Sequence, residues 1–168
     1  MTFRQILVGV LVVVPLAVAG LAVAAGAFDG AKSATARFHD LDKAMDAGYT
    51  VRVADLSGAT CIAQPGEGGM GVHMLKPALL DGAIDAKNPE LLVYEQKADG
   101  QLKLAALEYL VFVSDWGGAN RPSLFGREFD LVGAPNRYGL PPFYALHAWI
   151  WKPNPSGILY AWNPRVEC

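Results

Sequence analysis

Residues 90–113 restrict the fold more than any other stretch. ELLVYEQ (90–96) and QLKLAALEYLVFV (101–113) are rich in Leu, Val, Tyr and Phe, and they flank Lys97-Ala98-Asp99-Gly100. Asp-Gly favours the left-handed backbone of a tight turn, so the two runs are expected to pair as an antiparallel hairpin. With Asp99 and Gly100 as the two loop residues, Glu95 faces Leu104 and Leu91 faces Glu108. Side chains alternate along a strand. These four therefore share a side with Leu102, Ala106, Leu110 and Phe112. Glu108 becomes a carboxylate in the middle of an apolar face. Such a group must be paired, protonated or bound to metal, because an isolated buried carboxylate is very unfavourable. Glu95 sits nearer the turn, roughly 13 Å from Glu108 at about 3.3 Å per residue. That is too far to share one ion, and a solvated hairpin carboxylate is its plain reading.

A second strand signal is PPFYALHAWIW (141–151). Alternation puts Phe143, Ala145, His147, Trp149 and Trp151 on one face and Tyr144, Leu146, Ala148 and Ile150 on the other. Both faces are apolar, which predicts a strand covered on both sides with a histidine in need of a partner.

The rest of the chain supplies shorter elements. Residues 31–48 place Ala34, Phe38, Leu41, Ala44 and Met45 at helical spacing, with Ser33 or Thr35 as N-cap and Gly48 as the stop. His39, on the polar edge of that helix, reads as a solvated histidine. Tyr49–Val53 has strand composition. CIAQPGEGGMGVHM (61–74) carries Gly66, Gly68, Gly69 and Gly71, and reads as a loop where backbone approaches something closely before a strand starts at Val72-His73-Met74. It lacks the flanking strand, helix and Lys-Ser/Thr of a nucleotide-binding loop. Residues 114–138 are loop-rich with a short strand at Glu128–Val132, and Ile158–Trp162 reads as a last strand. The fold class expected is mainly β (α+β): a small antiparallel β-barrel or sandwich with one N-terminal amphipathic helix.

Export is expected from the N-terminus. Arg4 precedes an uncharged run from Ile6 to Ala25, and Ala25-Gly26-Ala27 suits a signal peptidase, with Ala22-Val23-Ala24 as second choice. This divides the chain into a signal peptide (1–27) and one mature β-rich domain (28–168), secreted or periplasmic. An uncleaved membrane anchor is the competing reading, since about 20 apolar residues can span a bilayer. In an oxidising compartment the two cysteines, Cys61 and Cys168, pair by default. The net charge of −2, with no basic stripe, argues against a nucleic-acid partner.

Three residues then stand out on three separate β segments: His73, Glu108 and His147. Two imidazoles and one carboxylate in apolar surroundings suit a divalent transition metal (Zn, Mn, Fe or Cu), with an open position for water or a small-molecule ligand. The plain alternatives are a core histidine bonded to a carbonyl and a glutamate paired with Arg52, Arg121, Arg127 or Arg137. A further alternative is a non-catalytic binding module. Its sugar or peptide platform would be Trp149, Trp151, Tyr160 and Trp162, and it would need exposed tryptophans, Trp116 among them.

The sets GMGVH (69–73), LVYE (92–95), Glu108-Tyr109, SLFG (123–126), FYALHAW (143–149) and NPRVEC (163–168) resemble a group of secreted bacterial proteins with no assigned activity. The resemblance spans nearly all of 28–168. It implies export and one compact domain, and nothing about a reaction. The chain departs from a cupin, lacking the H-x-H pair and the glutamate spacing that follows it.

Overall fold

In the computed structural model the central hairpin forms β4 (Leu91–Gln96) and β5 (Leu102–Phe112). The structure describes residues 18–168, so residues 1–17 of the expected signal peptide lie outside the described residues. Leu91 faces Glu108, Leu92 faces Leu107 and Val93 faces Ala106, as the turn register predicts. Beyond that point the register slips by one: Tyr94 faces Leu104 and Glu95 faces Lys103, not Leu104. The turn is the reason. Lys97 N–H bonds to the Gln101 carbonyl, which leaves a three-residue loop with Gly100 at φ +82°. Gly100 suits that left-handed position, and three-residue hairpin loops characteristically carry it. A bulge at Ala105 absorbs the extra residue, and its carbonyl accepts the N–H groups of Trp151 and Lys152.

Around this hairpin lie β1 (Val51–Arg52), β2 (Cys61–Gln64), β3 (Gly68–Leu75), β6 (Ser123–Leu124), β7 (Arg127–Glu128), β8 (Asp130–Val132) and β9 (Phe143–Ala148). One antiparallel sheet has the order β1-β3-β4-β5-β9-β8, with β2 beside β3 on the same edge as β1; β6 and β7 form a small ribbon. The sheet is not closed, so the expected barrel does not form. The two ends of the sheet are short strands, β1 of two residues and β8 of three.

The glycine-rich segment is a hairpin rather than a loop. Only residues 65–67 turn, and the glycines run on into β3. The expected close approach is present, but it occurs within a strand. A Cβ on Gly71, at φ +96°, would lie 2.5 Å from the Tyr94 carbonyl oxygen, and one on Gly69 would lie 2.8 Å from the Val166 carbonyl oxygen. The C-terminal tail lies against this edge, and Cys61–Cys168 is disulfide-bonded.

Helices cover one face of the sheet. The expected single helix is three pieces: α1 (Val18–Thr35), one 3-10 turn (Ala36–His39) and α2 (Leu41–Asp46). α1 runs across the expected cleavage point after Ala27. Ala27 and Phe28 pack on the core, with Phe28 stacked on Phe125 at 4.2 Å. The break is at Asp40, whose carboxylate accepts the N–H groups of Asp42 and Lys43 and caps α2. Thr35 is not a cap; its hydroxyl donates back to the Ala31 carbonyl. Gly48 ends α2 as expected, at φ +97°. No described helix is long and apolar enough to cross a membrane.

Phe38, Ala44 and Tyr49 join Val72, Met74, Leu92, Tyr94, Leu107, Tyr109, Leu146 and Ala148 in the core under the helices. The alternate residues, including Leu91, Leu110, Phe143 and Ala145, form a second cluster on the other face. Two expected strands differ. Glu128–Val132 is divided at the buried Phe129, whose N–H turns to the Pro122 carbonyl. Ile158–Trp162 forms no strand, because Trp149 and Asn154 take its carbonyls in loop bonds.

Candidate metal centre

The face away from the helices carries His73, Glu108 and His147, three of the buried polar residues. On β3, Val72 and Met74 point to the helical layer, which leaves His73 on the opposite side. On β5 the same alternation turns Glu108 that way, between Leu107 and Tyr109. On β9, Leu146 and Ala148 face the helices, and His147 faces Glu108 directly across the ladder. β5 and β9 are neighbours, and β3 is one strand beyond β4, so sheet order alone brings the three side chains onto one patch.

Their ligand atoms all lie within 4.8 Å of one another. His73 Nε2 is 3.2 Å from His147 Nε2 and 3.4 Å from Glu108 Oε2; His147 Nδ1 is 3.7 Å from Glu108 Oε1. Ligands about 2.0–2.1 Å from one tetrahedral ion sit roughly 3.3 Å apart, and the two shortest separations are of that size. Relative exposures of 3%, 7% and 3% for His73, Glu108 and His147 remove all three from bulk water.

The alternative partners weighed for these residues are engaged elsewhere. Arg52 bonds to Gln96, Arg127 pairs with Asp130, Arg137 pairs with Asp55, and Arg121 lies over the Tyr144 ring. Among the described residues no arginine reaches Glu108, and no carbonyl takes a ring proton of His147. His73 Nδ1 is buried without any hydrogen-bond partner. The sheet positions the triad, and within it His73 Nε2 and His147 Nε2 lie within hydrogen-bond distance of each other.

Burial sets the protonation states. Desolvation raises the Glu108 carboxyl to about 8, with the Glu90 charge adding to it. Desolvation lowers His73 to about 4, opposed by the backbone of Gly71, and lowers His147 well below the usual imidazole value, helped by His73. At neutral pH the metal-free triad is therefore an acid and two neutral imidazoles.

A cavity of about 510 Å³ opens beside Glu108 and His147, and a smaller one of about 110 Å³ lies against His73 and Glu108. Glu108, Tyr138 and Phe143 line both. Tyr138 is the residue that sequence reasoning missed. It sits in a loop, between Arg137 and Gly139, with no periodic pattern to orient it. Burial first, and the nearby Glu108 charge second, raise its phenol, so it remains a hydrogen-bond donor at neutral pH.

The other polar candidates lie elsewhere. Glu95 is half-buried and paired with Lys97 and Lys152. His39 is exposed and meets the edge of Trp151 at 4.5 Å. Trp149 stacks beside His147 at 6.2 Å, but Trp151 leaves that face after the strand ends at Ala148 and packs against the helical layer. Trp149 is buried and Trp116, Trp151 and Trp162 are half-buried, so none offers the exposed ring that a stacking platform needs. No family model, curated protein or solved structure matches the chain.

Proposed function

We propose that this is an exported domain that holds a divalent transition metal (Zn, Mn, Fe or Cu) at His73, Glu108 and His147 and presents it to a small molecule in the adjoining cavity. The observation that carries this is the convergence of three buried ligand atoms within 4.8 Å, with no arginine among the described residues paired to Glu108. Three protein ligands leave at least one coordination position for water or substrate. A metal in such a site polarises an oxygen or activates water. The disulfide and the resemblance to secreted bacterial proteins support export.

Metal analysis of protein purified from its native host tests the reading, together with melting temperatures in added Zn, Mn, Fe and Cu. Bound metal, or a rise in melting temperature that His147→Ala removes, is expected. No metal and no rise would leave the triad as a structural feature of the core.

A further inference from the structure

The larger cavity has a specific chemistry once its polar groups are counted. The Arg127 guanidinium donates to the Leu159 carbonyl and to Asp130. That of Arg137 donates to the Ala63 carbonyl and to Asp55. The Asn136 amide uses its nitrogen on the Gly133 and Leu140 carbonyls and its oxygen on the N–H groups of Tyr138 and Leu140. Tyr160 donates to Glu67. Both cations lining the cavity are thus already neutralised, and its amide is saturated. Among the described residues the hydroxyl of Tyr138 has no hydrogen-bond partner. Apart from the Trp162 indole N–H, the remaining surface is apolar, from Met70, Val132, Phe143, Ala145 and the Trp162 ring.

The second constraint is charge. A divalent ion held by one carboxylate and two neutral imidazoles leaves a net charge of about +1 on a desolvated site, which is unfavourable until neutralised. A monoanionic oxygen ligand removes that charge. A dianion overshoots it. A polyhydroxylated ligand such as a sugar would find few free polar groups on these walls and leave most of its own unpaired. About 510 Å³ holds a ring or short chain of drug-like size.

We infer that the cavity takes an apolar monoanion with an oxygen head (a monocarboxylate, enolate or phenolate), whose head group binds the metal and accepts a hydrogen bond from Tyr138. This rests on the metal reading above and narrows it to a ligand class, with Tyr138 as the positioning residue.

The test uses the exported chain loaded with Co(II), whose visible absorption bands report both metal binding and changes in its coordination. Benzoate is the probe, and benzamide is its neutral control of the same shape. Benzoate should shift the bands saturably, and benzamide at equal concentration should not. In Co(II)-loaded Tyr138→Phe the half-saturating benzoate concentration should rise about tenfold or more, the usual loss for one hydrogen bond to a charged group. Bands that ignore benzoate, respond equally to benzamide, or respond unchanged in Tyr138→Phe overturn this inference while the metal site stands. No Co(II) bands at all would remove the metal site and this inference together.

Discussion

Glu108 sits where a carboxylate is most expensive to ionise, and the protein provides no cation against it. Two predictions belong to the triad. Glu108→Gln keeps shape and burial but removes the only ligand that can become an anion. Isothermal titration with Zn should show affinity falling by at least about tenfold, the range seen when even supporting partners of metal ligands are removed. His147→Ala should lose metal as well, and should lower metal-free stability by about 1–3 kcal/mol, the range for an emptied buried site. Wild-type Zn affinity in Glu108→Gln would count against a metal role for the triad.

A third residue-scale prediction concerns pH. Glu90, buried under the helical layer, accepts the Leu110 N–H, yet burial raises it to about 8, as it does Glu108. Below about pH 4.5 both are protonated in folded and unfolded chains alike. Between about 4.5 and 8 the folded chain keeps protons that the unfolded chain has released, so these two groups lower stability as pH rises. His73 works in the opposite sense between about pH 4 and 6.5, where only the unfolded chain takes up a proton, and His147 has the same sign. The metal-free protein should therefore change little in stability from about pH 4.5 to 6.5 and lose stability from about 6.5 to 8. Denaturant titrations in chelator at pH 5, 6.5 and 8 measure this, and Glu90→Gln should shallow the fall above 6.5.

At the scale of elements, three departures from the sequence pattern share a cause: a backbone group satisfied locally overrides periodicity. Asp40 caps α2 and divides the expected helix, Gly100 lengthens the hairpin loop, and the Ala105 carbonyl draws Trp151 and Lys152 out of the β9 ladder. β3 shows the reverse. Its glycines are there because neighbouring backbone crosses too close for a side chain. Gly71→Ala faces both a left-handed φ and the Tyr94 carbonyl at 2.5 Å. It should destabilise by about 2–4 kcal/mol in equilibrium unfolding. Gly66→Ala, with open space around its Cβ, should lose only about 1 kcal/mol from its φ of +85°. Equal losses at the two sites would show that crowding on β3 is not what selects glycine.

For the whole molecule, the disulfide ties the edge strand β2 to the last residue across 107 positions. In the chain-entropy picture a loop of this length contributes about 4–5 kcal/mol. The double variant Cys61→Ser/Cys168→Ser should lose stability of that order, read from its denaturation midpoint. A loss well under 1 kcal/mol would mean that the tail is held by its packing on Gly68 and Gly69 alone.

Some of this architecture was legible in residue order. Alternating apolar residues predicted β4, β5 and β9 and the two-sided burial of His147, because a period of two dictates which face each side chain joins. A two-residue Asp-Gly turn predicted the pairing of Leu91 with Glu108 and so pointed to a carboxylate buried among Leu and Ala. The pairing holds because the bulge at Ala105 offsets the longer loop. His73, Glu108 and His147 could be named one at a time because each is a polar residue in an apolar run. Distance along the chain could not show that they meet. That depended on the sheet order β3-β4-β5-β9, which places residues 35 and 39 positions apart on adjacent or next-but-one strands. Nor could it show Tyr138, the open sheet, the slipped register past Val93, or the loop conformation of Ile158–Trp162. Each of these is settled by contacts between segments remote in sequence, where sterics and hydrogen-bond satisfaction outweigh local preference.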